Sequence, residues 1–285
     1  MRRLALVMMA ALGLAYLGGI AVAATPPSGT AVGVNPSAVD QTKLKSKDLV
    51  VGSDVAMGDK IVTGDSGQVQ LLFTDNTKLV VGPSSSLVVE SYLLRGDKTV
   101  GTFAVSALSG TFRFITGESD HSAYTIKTPT GTIGVRGTAF DFRVDPDVLA
   151  ATDGSTPGGH YHKPGSLLEG TTVALFRGAV VLCNLDNKCE TLTNKCEVGA
   201  ITTPETYKIG RFAAAEEGLR DKFMYVASQK PLLQSFWVDE SRLCFINTET
   251  TNAGLSSFSG GAEPPPPPTI IGTPGPVGGC PGPRC

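Results

Sequence analysis

From about Asp48 to Ile209 the chain is a succession of short apolar runs separated by Gly, Asp, Asn and Pro, and that rhythm limits what it can fold into. Val69, Leu71 and Phe73 alternate with Gln70 and Leu72 before an Asp75-Asn76 turn. Leu79-Val80-Val81 follows and stops at Gly82-Pro83, and Leu87-Val88-Val89 comes after three serines. Runs that recur about every nine residues are the pattern of an all-β domain with tight turns. Others cover Val100 to Val105, Thr111 to Ile115, Ala123 to Lys127, Thr138 to Val144, Thr172 to Phe176 and Ala179 to Leu182. Many of these residues are β-branched or aromatic, the types that suit a pleated, half-buried surface. Glycine and proline break up the windows a helix would need. Roughly 160 residues suffice for one core.

The flanks have other compositions. Residues 1–24 read as an export signal, with Arg2 and Arg3 ahead of an apolar Leu4 to Ile20 and small residues at Ala21-Val22-Ala23. Cleavage after Ala23 or after Ala24 fits equally. An uncleaved anchor is the competing reading, since the apolar stretch approaches the ~20 residues that span a bilayer. Residues 25–47 read as a linker, 48–209 as the β domain, 210–250 as a helical extension and 251–285 as a disordered Pro/Gly-rich tail containing Pro264 to Pro268. Within the extension, Phe212, Ala215, Leu219, Phe223 and Val226 fall three and four apart, one face of an amphipathic helix over Arg211 to Lys230. A second short helix is expected over Leu232 to Phe245.

Charge excludes one class of partner. Removing residues 1–24 leaves 22 basic against 26 acidic residues, a formal charge of −4. Nucleic acid demands a clustered positive surface, which this composition does not supply. No second hydrophobic span follows the leader, so no stable membrane span is expected after cleavage, and the expected location is the periplasm or the exterior.

The six cysteines, at 183, 189, 196, 244, 280 and 285, all lie in the last third of the chain. An even count behind an export signal points to disulfides. About fifteen full pairings are open to six cysteines. Cys183 ends a strand, and residues 184–188 can turn back, which makes Cys183–Cys189 a hairpin staple. Cys196–Cys244 would then tie the helical extension to the β domain, and Cys280–Cys285 would close a terminal loop.

Several motifs occur in a telling order. Gly58, Asp59, Ile61, Thr63 and Gly64 are followed by Phe73, Asp75 and Thr77, then by Pro83, Ser85 and Leu87. Gly110-Thr111-Phe112-Arg113-Phe114 precedes the stretch Thr128, Pro129, Gly131, Gly134, Arg136, Gly137, Thr138 and Phe140, and Thr172 to Val181 closes the series. Over about residues 48–201 the chain therefore resembles the FecR-domain family. The resemblance implies an all-β, roll- or solenoid-like domain. In the best-known members it is the periplasmic half of a signal transducer for iron uptake, joined to a transmembrane helix and a cytoplasmic anti-sigma segment. This chain shows neither, and is identified as a free-standing exported member.

Thr128-Pro129 favours an extended entry to the last motif. Arg136 stands among Ile133, Val135, Ala139 and Phe140, so it is expected to be partly buried and to satisfy turn carbonyls or Asp141.

Other chemistry is weaker on the residues. Gly131, Gly134 and Gly137 lack the spacing, the lysine and the following helix of a phosphate loop. His160-Tyr161-His162 puts two imidazoles at i and i+2, but only Asp153 stands near, and structural zinc wants four ligands. His121 neighbours Asp120, Ser119 and Ser122, yet triads are defined by geometry and not by adjacency. No catalytic residue, metal ligand or cofactor is assigned. The expectation is a non-enzymatic protein that binds or scaffolds a cell-envelope protein or polymer. The alternative is a signal-input protein working with a separately encoded sigma/anti-sigma transducer.

Overall fold

The apolar runs become strands that pair into a continuous 15-stranded sheet. The structure, a computed structural model, describes residues 27–42, 45–95, 99–145, 170–203, 205–212 and 221–244. Residues 1–24, His160, Tyr161 and His162, Cys280 and Cys285, and Pro264 to Pro268 lie outside these residues. In chain order the strands are β1 (Pro27–Asn35), β2 (Val39–Gln41), β3 (Ser46–Asp48), β4 (Asp54–Ala56), β5 (Lys60–Val62), β6 (Gln68–Phe73), β7 (Lys78–Val81) and β8 (Ser86–Leu94). Then come β9 (Val100–Ile115), β10 (Tyr124–Thr128), β11 (Gly131–Val144), β12 (Thr171–Asn184), β13 (Cys189–Leu192), β14 (Glu197–Ile201) and β15 (Thr206–Arg211).

Runs that read as separate strands are fused. Val100 to Val105 and Thr111 to Ile115 are the two halves of β9, and Thr172 to Phe176 and Ala179 to Leu182 those of β12. Each long strand changes neighbours midway. The first half of β9 pairs with β8 and β10, and its second half with β7 and β11. β11 pairs first with β10 and then with β9, while β12 pairs with β14 at its start and β13 at its end. The result is two layers sharing three strands. The first runs β3-β2-β5-β8-β9-β10-β11-β12-β13, and the second β4-β1-β6-β7-β9-β11-β12-β14-β15. This is the all-β architecture that the FecR resemblance implied.

The crossover points need unusual backbone. Gly110 has φ +103° and Gly178 φ +78°. A Cβ on Gly178 would sit 2.1 Å from the carbonyl oxygen of Gly137, which itself marks a register shift in β11. Only glycine meets both conditions, the positive φ and the close approach.

The main core lies between the layers and takes alternate residues from most of the strands, β6, β9, β11 and β12 above all. Phe103, Phe112, Phe114, Tyr124, Phe140 and Phe142 form its aromatic spine. Phe112 stacks on Phe142 at 4.8 Å, and Phe103 meets Phe114 edge-on at 5.7 Å. Each such ring removes apolar area worth about 1.5–3 kcal/mol from water.

Two expectations are corrected. Within the linker expected over 25–47, the described residues are largely sheet: β1 inserts between β4 and β6, and β2 pairs with β3 and β5. Its small residues concealed this. Ser28 and Ala31 are buried with little bulk, and Gly33 leaves its space to the Gln70 side chain opposite, so the strand is held by backbone pairing.

The single helix expected over 211–230 does not form across the described residues. Phe212 directly follows β15 and donates its N–H to Cys196 O at 2.6 Å, because pairing with β14 captures the preceding residues. Beyond it, residues 221–244 make a strap: α1 (Met224–Ala227), a 3-10 turn at Gln234–Phe236 and α2 (Asp239–Cys244). Phe212, Phe223 and Val226 do share one buried cluster, so the apolar spacing reports the covered face but not the helix.

Gly178→Ala is expected to lower unfolding free energy by at least about 2 kcal/mol, combining positive-φ strain with a backbone clash. Urea denaturation monitored by circular dichroism checks it.

Candidate functional site

The second layer has an outer face, and the strap covers it. Directly paired residues across that face form one row: Gly33, Gln70, Val80, Arg113, Asp141, Ala174, Val198 and Gly210. Arg113 and Asp141 stand opposite one another in it, both fully buried. Arg113 falls there because Phe112 and Phe114 on either side turn into the main core.

The guanidinium is gripped from two directions. Its Nε donates to Asp141 Oδ1 at 2.6 Å and its Nη2 to Asp141 Oδ2 at 2.9 Å, a bidentate pair. From the strap, Gln229 Oε1 accepts from Nη1, and the Tyr225 carbonyl accepts from Nη2 at 3.2 Å. The rings of Phe176 and Tyr225 lie 5.4 and 5.6 Å from the guanidinium carbon. Burial pushes the Asp141 carboxyl up and the Arg113 charge pulls it back, burial having the larger effect. Both carboxyl oxygens of Asp141 accept from the one guanidinium, the fork-to-fork geometry of a buried ion pair.

The strap is bonded to β6 as well. Tyr225 Oη donates to Gln68 Oε1 at 2.8 Å, Gln68 Nε2 donates to Pro231 O at 3.2 Å, and Leu233 N donates to Gln70 Oε1 at 2.8 Å. Burial, helped by the Asp141 charge, raises the Tyr225 hydroxyl well above the usual phenol range. Apolar clusters flank the polar centre, one around Phe176, Phe212, Phe223 and Val238 and the other around Val80, Tyr225, Leu232 and Phe236.

Cys196 and Cys244, both buried, form a disulfide that fastens the strap's end to the turn before β14. Cys183 and Cys189 form a second one across the β12–β13 hairpin. The first spans 48 residues and the second six. On chain entropy alone that is roughly 4 kcal/mol of constraint against about 2.2.

A second buried polar centre sits at the Asp-x-Thr motif. Asp75 Oδ2 accepts from Tyr124 Oη at 2.6 Å, Thr77 Oγ1 at 2.8 Å and Ser119 Oγ at 2.9 Å, and Oδ1 accepts from Thr77 N at 3.1 Å and Tyr92 Oη at 3.3 Å. A carboxylate with that many donors is spoken for. Burial pushes the Tyr92 hydroxyl up to about 12, with the Asp75 charge adding to it. Burial and the hydrogen bond to Asp75 also raise Tyr124.

The motif residues named from sequence are spread over one hairpin. Thr128 and Gly131 close its turn around Pro129, with Thr128 Oγ1 donating to Gly131 O at 3.2 Å. Gly134 lies on the outer face of the first layer, where a Cβ would meet only Val181, at 3.7 Å. Thr138 is buried and joins β11 to β9, its N–H donating to Thr116 Oγ1 at 3.0 Å. Phe140 is in the core.

Arg136 is the correction. It is exposed, and Asp141 belongs to Arg113. The bend at Gly137 puts Arg136 on the outer side of the first layer and Asp141 on the outer side of the second, so they cannot meet.

Arg113 lies within the Gly110 to Phe114 motif, and nothing in that motif alone assigns it a role. Its signal is an arginine alternating with two phenylalanines, and the Asp141 expected beside Arg136 pairs with it instead. Among the described residues no group of three or more His, Cys, Asp or Glu is placed to hold a metal ion. Nor is any described helix long and apolar enough to cross a membrane.

The outer face of the first layer carries no such cover among the described residues. Thr125, Gly134 and Val181 form one cross-strand row and are half-buried. Lys60, Val88, Ser106, Lys127, Thr132, Cys183 and Cys189 form the next, with Lys127 ion-paired to Glu90. Leu93 and Leu108 stand exposed at its rim.

Residues 59–155 match the family model described as FecR protein. No curated protein matches the chain. Two crystal structures of a protein from Parabacteroides distasonis ATCC 8503, provisionally assigned as an anti-sigma factor, align at TM-score 0.37 with 13% and 14% identity. Each alignment covers 53% of this chain and 59% of that one. A likeness at that level carries no functional argument.

Arg113→Met is expected to cost about 3–5 kcal/mol, because it strands a buried carboxylate, while adding Asp141→Leu should restore much of the loss. Urea titrations of the single and double variants check this. In alkali, unfolded phenols ionise near 10 while Tyr92 holds its proton to about 12, so native stability should fall across that interval and stay level below it. Phenolate absorbance and melting temperature followed together against pH test the order.

Proposed function

Starting from a chain that carries a FecR domain over residues 59–155, we propose that it is a non-enzymatic, exported module that binds a cell-envelope protein through the outer face of its first layer. The observation that supports this is the unequal treatment of the two outer faces. The second layer's face is closed by the strap over Arg113 and Asp141. The first layer's face presents half-buried Thr125, Gly134 and Val181 with exposed Leu93 and Leu108 at its rim. Small uncharged side chains on a pleated surface give close approach at little desolvation cost, and a few large apolar residues at the edge give area to bury. Export is supported by two disulfides, which persist in an oxidising compartment, and by the leader-like residues 1–24.

A second reading is favoured by the FecR match itself: a regulatory, signal-input role alongside a separately encoded sigma/anti-sigma transducer. Both readings use the same face and differ in what sits on it.

Crosslinking pull-down of the full chain from its native envelope fraction tests them, with the Thr125→Lys/Val181→Lys variant alongside. The expected result is one enriched protein whose recovery falls at least about tenfold in the variant, with the melting temperature retained, since surface charges at a contact core are strongly disfavoured. Recovery of a transducer or an outer-membrane receptor selects the signalling reading. Equal recovery with wild type and variant removes the face from the proposal.

A further inference from the structure

The two disulfides differ in everything that governs their chemistry. Cys196 and Cys244 are 3% and 1% exposed and sit in the apolar cluster beneath the strap. Cys189 is exposed, and Cys183 is half-buried on the open outer face. Thiol–disulfide exchange needs the attacking thiolate to reach a sulfur in line, so access decides which bond reacts.

The hairpin that carries Cys183 and Cys189 is held without them. Asn184 N donates to Lys188 O at 3.0 Å, and Asn187 N donates to Asn184 O at 3.1 Å. The Asn184 side-chain oxygen accepts from Asp186 N at 3.0 Å and Lys188 N at 2.9 Å. Val180, Val181 and Leu182 stay in register with Leu192, Thr191 and Glu190. Thr206 Oγ1 donates to Lys188 O at 2.9 Å, fixing the turn to β15. Beside Cys189 lies an open groove of about 250 Å³, lined also by Lys188, Glu190, Glu205, Thr206 and Tyr207.

We propose that Cys183–Cys189 is a reversible thiol–disulfide exchange site on the folded protein, taking a dithiol as its co-reactant, while Cys196–Cys244 is a permanent lock. This goes beyond the binding reading and rests on burial and pairing alone. A thiolate of the dithiol attacks Cys189 Sγ, the more accessible sulfur, forming a mixed disulfide and releasing Cys183 as a thiolate that takes up a proton. The second thiol of the dithiol then attacks its own sulfur in the mixed disulfide and releases Cys189. Two electrons and two protons pass to the protein, and the dithiol leaves as a disulfide. The reverse sequence reoxidises the pair. Reduction leaves two thiols at the end of the row that runs across the open face, and the fold stays intact.

The test uses the whole oxidised protein without denaturant. It is incubated with dithiothreitol, quenched at intervals with an alkylating agent and mapped by peptide mass, with near-ultraviolet circular dichroism recorded in parallel. Cys183 and Cys189 should be alkylated at least about 100-fold faster than Cys196 and Cys244, with the spectrum unchanged, because the buried pair must wait for global opening. A small dithiol protein whose second cysteine is replaced by alanine should be trapped on Cys189. Equal labelling of both pairs overturns the proposal, as does labelling of Cys183 and Cys189 only as the spectrum is lost. A mixed disulfide found on Cys183 overturns the assigned direction of attack.

Discussion

Three strands that each belong to two layers set the terms for everything else in this molecule. β9, β11 and β12 cross from one layer to the other, so the layers cannot slide or separate without breaking continuous chain. The bends also fix which side chains share a side. On the far half of β9 and β11, the residues between the core phenylalanines point away from the core, and two of them are charged. An arginine and an aspartate at adjacent register positions then need each other, and together they need a roof, because an ion pair left half-dry is stable only when its remaining donors are met. The strap meets them with an amide oxygen and a backbone carbonyl, and β6 receives the strap through Gln68 and Gln70.

The roof is polar at its centre and apolar at its margins. The margins contribute burial. The centre contributes position, since Gln229 bonds both Arg113 and the Val238 backbone and so locks one strap residue against another. The Cys196–Cys244 bond lies at the far end and removes the remaining freedom of the segment.

Much of the fold was legible in sequence because strands of this kind advertise themselves: Val69, Leu71 and Phe73 alternate and enter the main core, and the apolar run Leu79 to Val81 forms β7. β1 was not legible, since Ser28, Ala31 and Gly33 stabilise a strand by fitting closely, and composition reads them as linker. The unity of β9 and of β12 was concealed by the glycines that bend them, which look like strand ends. The role of Arg113 is not legible, because alternation shows that it faces away from Phe112 and Phe114 without showing that a segment over 100 residues later covers it. Arg136 misled for the converse reason: apolar sequence neighbours do not make a buried side chain when a bend reverses the facing. Cys183 and Cys189 sit across a short hairpin that local sequence can foresee, whereas Cys244 depends on where the strap goes.

The strap and β1 both lean on β6, one from above and one from the side. The two extremities of the described polypeptide thus converge on a single strand, and the hydrogen bonds from Gln68 to Pro231 and from Leu233 to Gln70 each join residues 163 apart. A fold closed in this way has high contact order and is kinetically slow, since the loop entropy falls due before the last contacts form. A chain emerging in order from its first residue presents a half-finished surface until nearly its last segment has arrived, and for that period its ionic centre is wet and its flanking aromatic rings are open to whatever chaperone stands at the exit.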